Sequence, residues 1–169
     1  PEDHMKFPTD KNINDYGKMI EDLGGADVCY GGIGWSGHLA YWEPDIKNEF
    51  GGDIEAWKKA GPKIVELTFF TILQNSLYYG GDWSWEAPKA ATIGPAQIVG
   101  AKLRSSWNNF SKKGDISWDR FIVRLAAHGP VTPLVPASIL QTCRSDLILS
   151  GGVAEDCIKP FEKIWEHVS

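Results

Sequence analysis

A histidine and a glutamate stand close together in a glycine-rich stretch of the sequence. Residues 31–44 read GGIGWSGHLAYWEP, in which His38 follows Gly37 directly and Glu43 lies five residues further on. An imidazole can move a proton near neutral pH, and a carboxylate within reach can fix its tautomer. The spacing therefore predicts a proton-transfer site, with His38 as the acid/base and Glu43 as its orienting partner.

The glycines around His38 indicate a loop whose backbone can approach a ligand closely. Gly32, Gly34 and Gly37 have the GxGxxG spacing of dinucleotide-binding loops. However, a histidine directly after the third glycine is not part of that pattern. We therefore expect no dinucleotide, and we predict no cofactor and no metal ion. A structural loop in which His38 only hydrogen-bonds to the backbone is the competing interpretation.

The residues before this loop predict a helix and a strand that position it. The helix is indicated by four apolar residues on one face, before two glycines that end it: Ile13, Tyr16, Ile20 and Leu23. Residues 26–30 predict a short buried strand that ends at the glycines of the loop. The order of helix, strand and glycine-rich loop is typical of an α/β sheet, in which ligands bind at the carboxyl ends of the strands.

The remaining sequence continues the same mixture of helices and strands. A length of 169 residues suits one domain with its own core, so we predict a single α/β domain over residues 1–169. The predicted elements are a short helix over 53–60, strands over 63–70, 90–94 and 101–107, a helix that Ser117 caps and Gly129 ends, a short helix over 136–141, a strand over 146–149 and a terminal helix over 161–168.

Composition and charge argue against several classes of protein. Hydrophobic residues make up 43% of the chain and the formal charge is -5, which is typical of a globular protein and unlike the basic footprint of a nucleic-acid-binding one. The sequence has no apolar run long enough to span a bilayer. Its three cysteines form no CxxC pair, so we expect neither a zinc site nor a disulfide framework, and we predict a cytoplasmic location.

The loop around His38 resembles the catalytic loop of the glucosamine-6-phosphate deaminase (isomerase) family. That loop reads Gly-Gly-hydrophobic-Gly-x-Asp-Gly-His-hydrophobic-Ala-Phe-Asn-Glu-Pro, and residues 71–79, 91–94 and 129–141 are similar to later segments of the family. The resemblance implies a modified doubly wound, Rossmann-like α/β sheet with flanking helices. It also implies an enzyme that opens the ring of an amino sugar phosphate, converts the aldose to a ketose and releases ammonia.

The resemblance also implies roles for the residues of the loop. It gives ring opening to His38, supported by Glu43 and by Ser36, which stands where the family has an aspartate. A serine hydroxyl can hydrogen-bond to the imidazole, but it carries no charge that would stabilise the imidazolium. The loop residues expected to contact the substrate are Gly32, Gly34, Gly37, Trp35 and Trp42. Core packing is the competing account for the tryptophans.

The phosphate-binding positions depart from the family. The resemblance places the family's arginine at Ile72 and its lysine at Asp119, and neither of these residues can hold an anion. We expect the adjacent Arg120 to take over phosphate binding, which requires a rotated helix. The expected ligand is therefore a small-molecule sugar or sugar phosphate. The changed phosphate-binding positions point to an altered substrate.

The resemblance covers only part of a family member. Family members begin with a further segment that would precede Pro1, so residues 1–169 are expected to be the C-terminal portion of such a domain, with its N-terminal strands missing. We expect that segment or a partner chain to cover an open apolar edge, and we expect a homo-oligomer without nucleic-acid or membrane partners. Two alternatives stay open: a non-catalytic sugar-binding or regulatory relative, and a 6-phosphogluconolactonase-like hydrolase.

Overall fold

A computed structural model describes residues 4–44, 49–109 and 117–155 of the chain. Helices and strands alternate along it. In chain order they are α1 (Ile13–Asp22), β1 (Val28–Gly32), α2 (Ile54–Trp57), β2 (Lys63–Glu66), α3 (Phe69–Ser76), β3 (Lys89–Thr92), α4 (Pro95–Gly100), β4 (Leu103–Asn108), α5 (Trp118–His128), β5 (Ser145–Leu149) and α6 (Gly151–Ala154). A 3-10 helix over Pro136–Thr142 precedes β5.

Three strands form a parallel sheet in the order β1-β4-β5. Val28 of β1 pairs with Leu103 of β4, and Arg104 of β4 pairs with Ser145 of β5. Parallel neighbours need a crossover connection, and α5 with the 3-10 helix lies between β4 and β5 in the chain. The predicted α/β fold with parallel strands is confirmed, and the loop that carries His38 begins where β1 ends.

The other two strands, β2 and β3, form a separate antiparallel pair. The strand predicted over 63–70 is wrong beyond Glu66, because the next residues begin a helix. Thr68 caps α3, and its side chain accepts a hydrogen bond from the backbone N–H of Thr71. A cap of this kind satisfies one of the free donors at a helix start. The cap also places Thr71 in the first turn of α3.

Other predicted elements are observed with small changes. The side chain of Ser117 caps α5 by accepting from the backbone N–H of Arg120, as expected. The short helix predicted over 136–141 is a 3-10 helix, and Pro95 begins α4, which was not predicted. The terminal helix predicted over 161–168 lies outside the described residues. In the part of the chain that the structure describes, no helix is long and apolar enough to cross a membrane.

Two apolar clusters hold the loop after β1 in place. One cluster surrounds Trp42 and Trp57, and the other contains Ile33 and joins the sheet to α5 and the 3-10 helix. Ile33 and Trp42 are 3% and 1% exposed, respectively. Since they stand on either side of His38 in the sequence, the loop is anchored by buried side chains at both ends.

The sheet has one covered face and one open face, which corrects the prediction that β1 is buried. Residues paired across parallel strands point to the same side, and Val28, Tyr30, Trp107 and Ile148 share the open side. Their exposed fractions are 38%, 74%, 54% and 38%. Parallel sheets are ordinarily covered on both faces, so this apolar face is unusual for its type.

Candidate functional site

The loop after β1 folds back and returns His38 to the end of the strand. The backbone N–H of Gly37 donates to the carbonyl of Gly34 at 2.9 Å, and Leu39 forms an isolated bridge with Ile33. Gly37 has a φ of 76°, a region that glycine adopts far more readily than other residues. A glycine predicted from the spacing therefore makes the turn that carries the histidine.

Gly34 lies directly against the imidazole of His38. A Cβ built on Gly34 would be 2.1 Å from Nε2 of His38 and 2.3 Å from Cε1, well inside van der Waals contact. A glycine at this position therefore allows the ring to lie where it does. The backbone of Gly34 therefore lies against the face of the ring near Nε2, and both residues line one cavity.

The other ring nitrogen of His38 is surrounded by three oxygen atoms. Nδ1 lies 3.1 Å from Oγ of Ser36, 3.0 Å from Oγ1 of Thr71 and 3.5 Å from Oε1 of Glu43. The last distance is beyond a normal N–H···O hydrogen bond. Glu43 thus lies next to His38 as predicted, but two hydroxyl groups stand closer to the imidazole than the carboxylate does.

Glu43 is a buried carboxylate held by hydroxyl groups. It is 2% exposed, and it accepts hydrogen bonds from Ser36 at 2.6 Å, from Thr68 at 3.2 Å and from Thr71. Burial is the largest single effect and raises the pKa of Glu43, but the interactions with His38, Ser36 and Thr71 together bring it below its ordinary value. The carboxylate is therefore charged at neutral pH and can stabilise a proton on the imidazole.

Thr68 and Thr71 are site residues that the sequence interpretation missed. Thr71 is 0% exposed, and it meets His38 from a separate element, 33 positions along the chain. A threonine before an apolar run is a helix-start signal, but the run was interpreted as a strand. Recognising the cap at Thr68 would have placed Thr71 one turn into a helix.

A cavity of about 430 Å³ has His38 in its wall. Its walls include the predicted Gly32 and Gly34, together with Tyr30, Gln74, Asn75 and Thr92. A cavity of this size is within the range of small-molecule sites. An imidazole that is held at Nδ1 and lines a cavity can take a proton from a ligand and return it.

The positively charged side chain in the cavity wall is already hydrogen-bonded to backbone carbonyls. Arg104 is the permanently charged cation among the described residues of the lining, and it is 5% exposed. Its guanidinium donates to the backbone carbonyls of Val99, Ala101 and Arg144. Among residues 4–44, 49–109 and 117–155, no three His, Cys, Asp or Glu side chains are grouped to hold a metal ion.

The two predicted tryptophans of the loop have different surroundings. Trp42 is 1% exposed, and its Nε1 donates to the carbonyl of Ile93 at 2.8 Å. This position favours core packing and removes Trp42 from the ligand-facing surface. Trp35 is half-buried, its backbone N–H donates to Oε1 of Gln74 at 2.8 Å, and its ring packs on Phe70 with centroids 5.9 Å apart. Trp35 therefore contacts Gln74, a residue of the cavity wall, and is not itself in the lining.

Arg120 is placed away from His38. Its Nε donates to the carbonyl of Gly152 at 2.6 Å, and its guanidinium lies 3.6 Å from the carboxylate of Glu155. Asp119 is instead the residue that α5 buries beside the sheet, where it accepts from Nδ2 of Asn108 at 3.3 Å. Successive helix positions point in different directions, so the expected rotation that would bring Arg120 to the cavity is not observed.

Comparison with known proteins by sequence finds glucosamine-6-phosphate deaminases among the relatives. No family model matches the chain. The chain is 37% identical over 126 residues to a glucosamine-6-phosphate deaminase of Lachnoclostridium phytofermentans, which covers 75% of this chain and 46% of the relative. It is 32% identical over 151 residues to glucosamine-6-phosphate deaminase 2 of Bacillus subtilis, covering 82% and 52%. The chain thus spans about half the length of the curated relatives it matches.

Solved structures show the same fold. A monomeric glucosamine-6-phosphate deaminase, described as a missing link of the NagB superfamily, matches with a TM-score of 0.70 and 22% identity, over 86% of this chain and 54% of that one. The 6-phosphogluconolactonase from Trypanosoma cruzi matches with a TM-score of 0.56 and 15% identity, over 89% and 52%. These similarities confirm the predicted Rossmann-like α/β architecture.

Proposed function

This chain belongs to the glucosamine-6-phosphate deaminase/isomerase family, and on that premise we propose that it carries the ring-opening site of an amino-sugar-phosphate isomerase or deaminase. The observation that carries the proposal is the placement of His38. Its Nδ1 is held by two hydroxyls over the buried carboxylate of Glu43, and its ring lines the cavity beside Gly34. This is the arrangement that a proton shuttle requires.

Ring opening needs one proton to leave one sugar oxygen and another to reach a second. Nε2 of His38 takes the proton of the anomeric hydroxyl, C1 forms a carbonyl with that oxygen, and the C1–O5 bond breaks with its electron pair on O5. The same Nε2 then protonates O5, so the imidazole returns to its starting state. Glu43 stabilises the transient imidazolium through Ser36 and Thr71. A placed imidazole contributes about a hundredfold to ten-thousandfold in rate.

The proposal assigns only ring opening to the described residues. The later steps, a proton shift between two carbons and the release of ammonia, require a further general base that the described cavity does not offer close to His38. Phosphate recognition is likewise not assigned, because the guanidinium of Arg104 is bound to backbone carbonyls. We take the amino sugar as substrate class from the named activity of the relatives, and the assay below tests whether a phosphate is needed.

We also propose that a further polypeptide segment of the family fold packs on the open face of the sheet. Two observations support this. Tyr30 and Trp107 are exposed on a parallel sheet that is ordinarily covered, and the chain matches about half the length of its relatives. The segment is expected to cover Val28 and Ile148 as well. Light scattering of the chain together with that segment would test the predicted homo-oligomer.

The direct test of ring opening is the rate at which the anomers of glucosamine 6-phosphate interconvert. This reaction needs only an acid/base, so it does not depend on ammonia release, and exchange NMR measures it. The unsubstituted chain is expected to accelerate the exchange, and His38→Asn is expected to lose a hundredfold or more, because the amide mimics Nδ1 and lacks Nε2. His128→Asn is the matched control, since His128 is exposed at the end of α5.

The same samples separate the alternatives. Ammonia release and ketose formation are assayed in parallel with glucosamine and with its 6-phosphate, which shows whether a phosphate is needed. Sugar binding without accelerated anomer exchange would favour a non-catalytic sugar-binding relative. Hydrolysis of a 6-phosphogluconolactone would favour the lactonase. Equal rates for the unsubstituted chain and His38→Asn would refute the assignment of His38.

A further inference from the structure

The Thr71 hydroxyl connects the two side chains at the centre of the proposed site. It is fully buried in the first turn of α3. Oγ1 lies 3.0 Å from Nδ1 of His38 and donates to Oε1 of Glu43. The Ser36 hydroxyl makes the corresponding pair of contacts, with the other carboxylate oxygen of Glu43. Each carboxylate oxygen therefore holds one hydroxyl that also contacts the imidazole.

Counting protons assigns the tautomer of His38. An ionised carboxylate only accepts hydrogen bonds, and each hydroxyl has a single proton to donate. Because Ser36 and Thr71 donate to Glu43, their oxygens can only accept from the imidazole. The proton of the neutral ring is therefore on Nδ1, and the free lone pair is on Nε2 of a residue that lines the cavity.

The two hydroxyls differ in what they connect. Ser36 lies two residues before His38 in the same loop, so it moves with the loop. Thr71 belongs to α3, and its contacts join that helix to the loop across 33 and 28 positions of the chain. A tautomer that only Ser36 held would survive a shift of the whole loop relative to α3. Thr71 contacts His38 from a helix outside the loop, so it fixes the position of the ring relative to α3.

We propose that Thr71 is a positioning residue for ring opening, which holds the Nδ1–H tautomer of His38 and transmits the charge of Glu43 to it. The proposal rests on the proposed function of His38. Thr71 is 0% exposed and does not line the cavity, so its effect is expected on the chemical step and not on substrate affinity. Its role depends on the hydroxyl, whereas a packing role would depend on the shape of the side chain.

Two substitutions separate the hydroxyl from the shape. Thr71→Val keeps the shape and removes the hydroxyl, and Thr71→Ser keeps the hydroxyl and removes a methyl group. Ser76→Ala is the matched control, because Ser76 is also buried on α3 and its hydroxyl donates only to the carbonyl of Leu73. A positioning role predicts that Ser rescues and Val does not, while a packing role predicts the opposite.

The tautomer is measured by 15N NMR of the histidine ring in the whole chain at neutral pH. The unsubstituted protein, Thr71→Ser and Ser76→Ala are expected to show His38 protonated at Nδ1. Thr71→Val is expected to show increased Nε2–H tautomer, because one of the two acceptors is gone. In the anomer-exchange assay, kcat is expected to fall about tenfold in Thr71→Val with KM unchanged.

The outcomes distinguish this inference from the proposed function. If Thr71→Val keeps both the tautomer and kcat, or if Thr71→Ser loses as much as Thr71→Val, the positioning role is refuted. If the unsubstituted protein does not accelerate anomer exchange, the proposed function fails. The ring spectra still decide the role of Thr71 in that case, since they need no turnover.

Discussion

Replacing Gly34 by alanine tests whether the ring of His38 is held where the structure places it. The new Cβ would lie 2.1 Å from Nε2, 2.3 Å from Cε1 and 2.6 Å from Cδ2, whereas ordinary contact begins at 3.4 Å. The ring therefore has to retreat by more than about 1 Å, since repulsion at such distances far exceeds any packing gain. Gly34 is not among the glycines with positive φ, so the backbone itself tolerates alanine.

The displacement decides the expected magnitude. Nδ1 of His38 lies 3.0 and 3.1 Å from the hydroxyls of Thr71 and Ser36, and a displacement of the ring by about 1 Å strains both contacts and the side-chain rotamer. Forcing a buried side chain out of its packed position costs about 1–3 kcal/mol, so Gly34→Ala is expected to lower the free energy of unfolding by that amount. Ring opening is expected to lose most of the hundredfold or more that a placed imidazole supplies.

Urea unfolding and the 15N spectrum of His38 check both parts. Gly31→Ala is the stability control, because a Cβ at Gly31 would meet nothing within 4 Å. The double variant Gly34→Ala/His38→Ala removes the clash, so it is expected to be less destabilised than the sum of its single changes. If Gly34→Ala is as stable as the unsubstituted chain and keeps the Nδ1–H signal, the ring does not lie against Gly34 and the reasoning fails.

Three further predictions follow from the same contacts. The lowered pKa of Glu43 in the folded state means that its contribution to stability is present above its unfolded pKa of about 4.3 and is lost as the pH falls through the lower folded value. Glu43→Gln should therefore weaken the pH dependence of the free energy of unfolding, measured with urea between pH 3 and 6. An unchanged pH dependence would contradict this. Gly37→Ala combines a φ of 76° with a Cβ 3.0 Å from Ile122 and should lower stability by about 1–3 kcal/mol in the same assay; full stability would show that the turn adjusts freely. Trp42→Phe should lower the melting temperature, because it removes the hydrogen bond to Ile93 and leaves a void, while glucosamine 6-phosphate affinity measured by calorimetry stays unchanged; reduced affinity at full stability would return Trp42 to the ligand surface.

The residues of the site that lie close together in sequence could be predicted. The pattern from Gly31 to Pro44 brings glycines, a histidine and a glutamate into one turn, and local rules of backbone freedom and hydrogen bonding apply within such a stretch. The structure places Ser36, His38 and Glu43 within one hydrogen-bonded group. The cap of α5 at Ser117 was predictable for the same reason, because the cap and the group it binds are three residues apart.

Contacts between distant segments were decided by the tertiary structure. Thr71 reaches His38 only because α3 packs against the loop after β1, and no periodicity in either segment encodes that contact. The same applies to Arg120, whose direction depends on which side of α5 meets the sheet, and to Tyr30, whose exposure depends on what covers the strand. Propensities and caps act over a few residues, whereas side chains from separate elements meet through the packing of the whole core. The sequence alone therefore determined the chemical groups of the loop. The fold determined that the Thr71 hydroxyl of α3 also holds the imidazole.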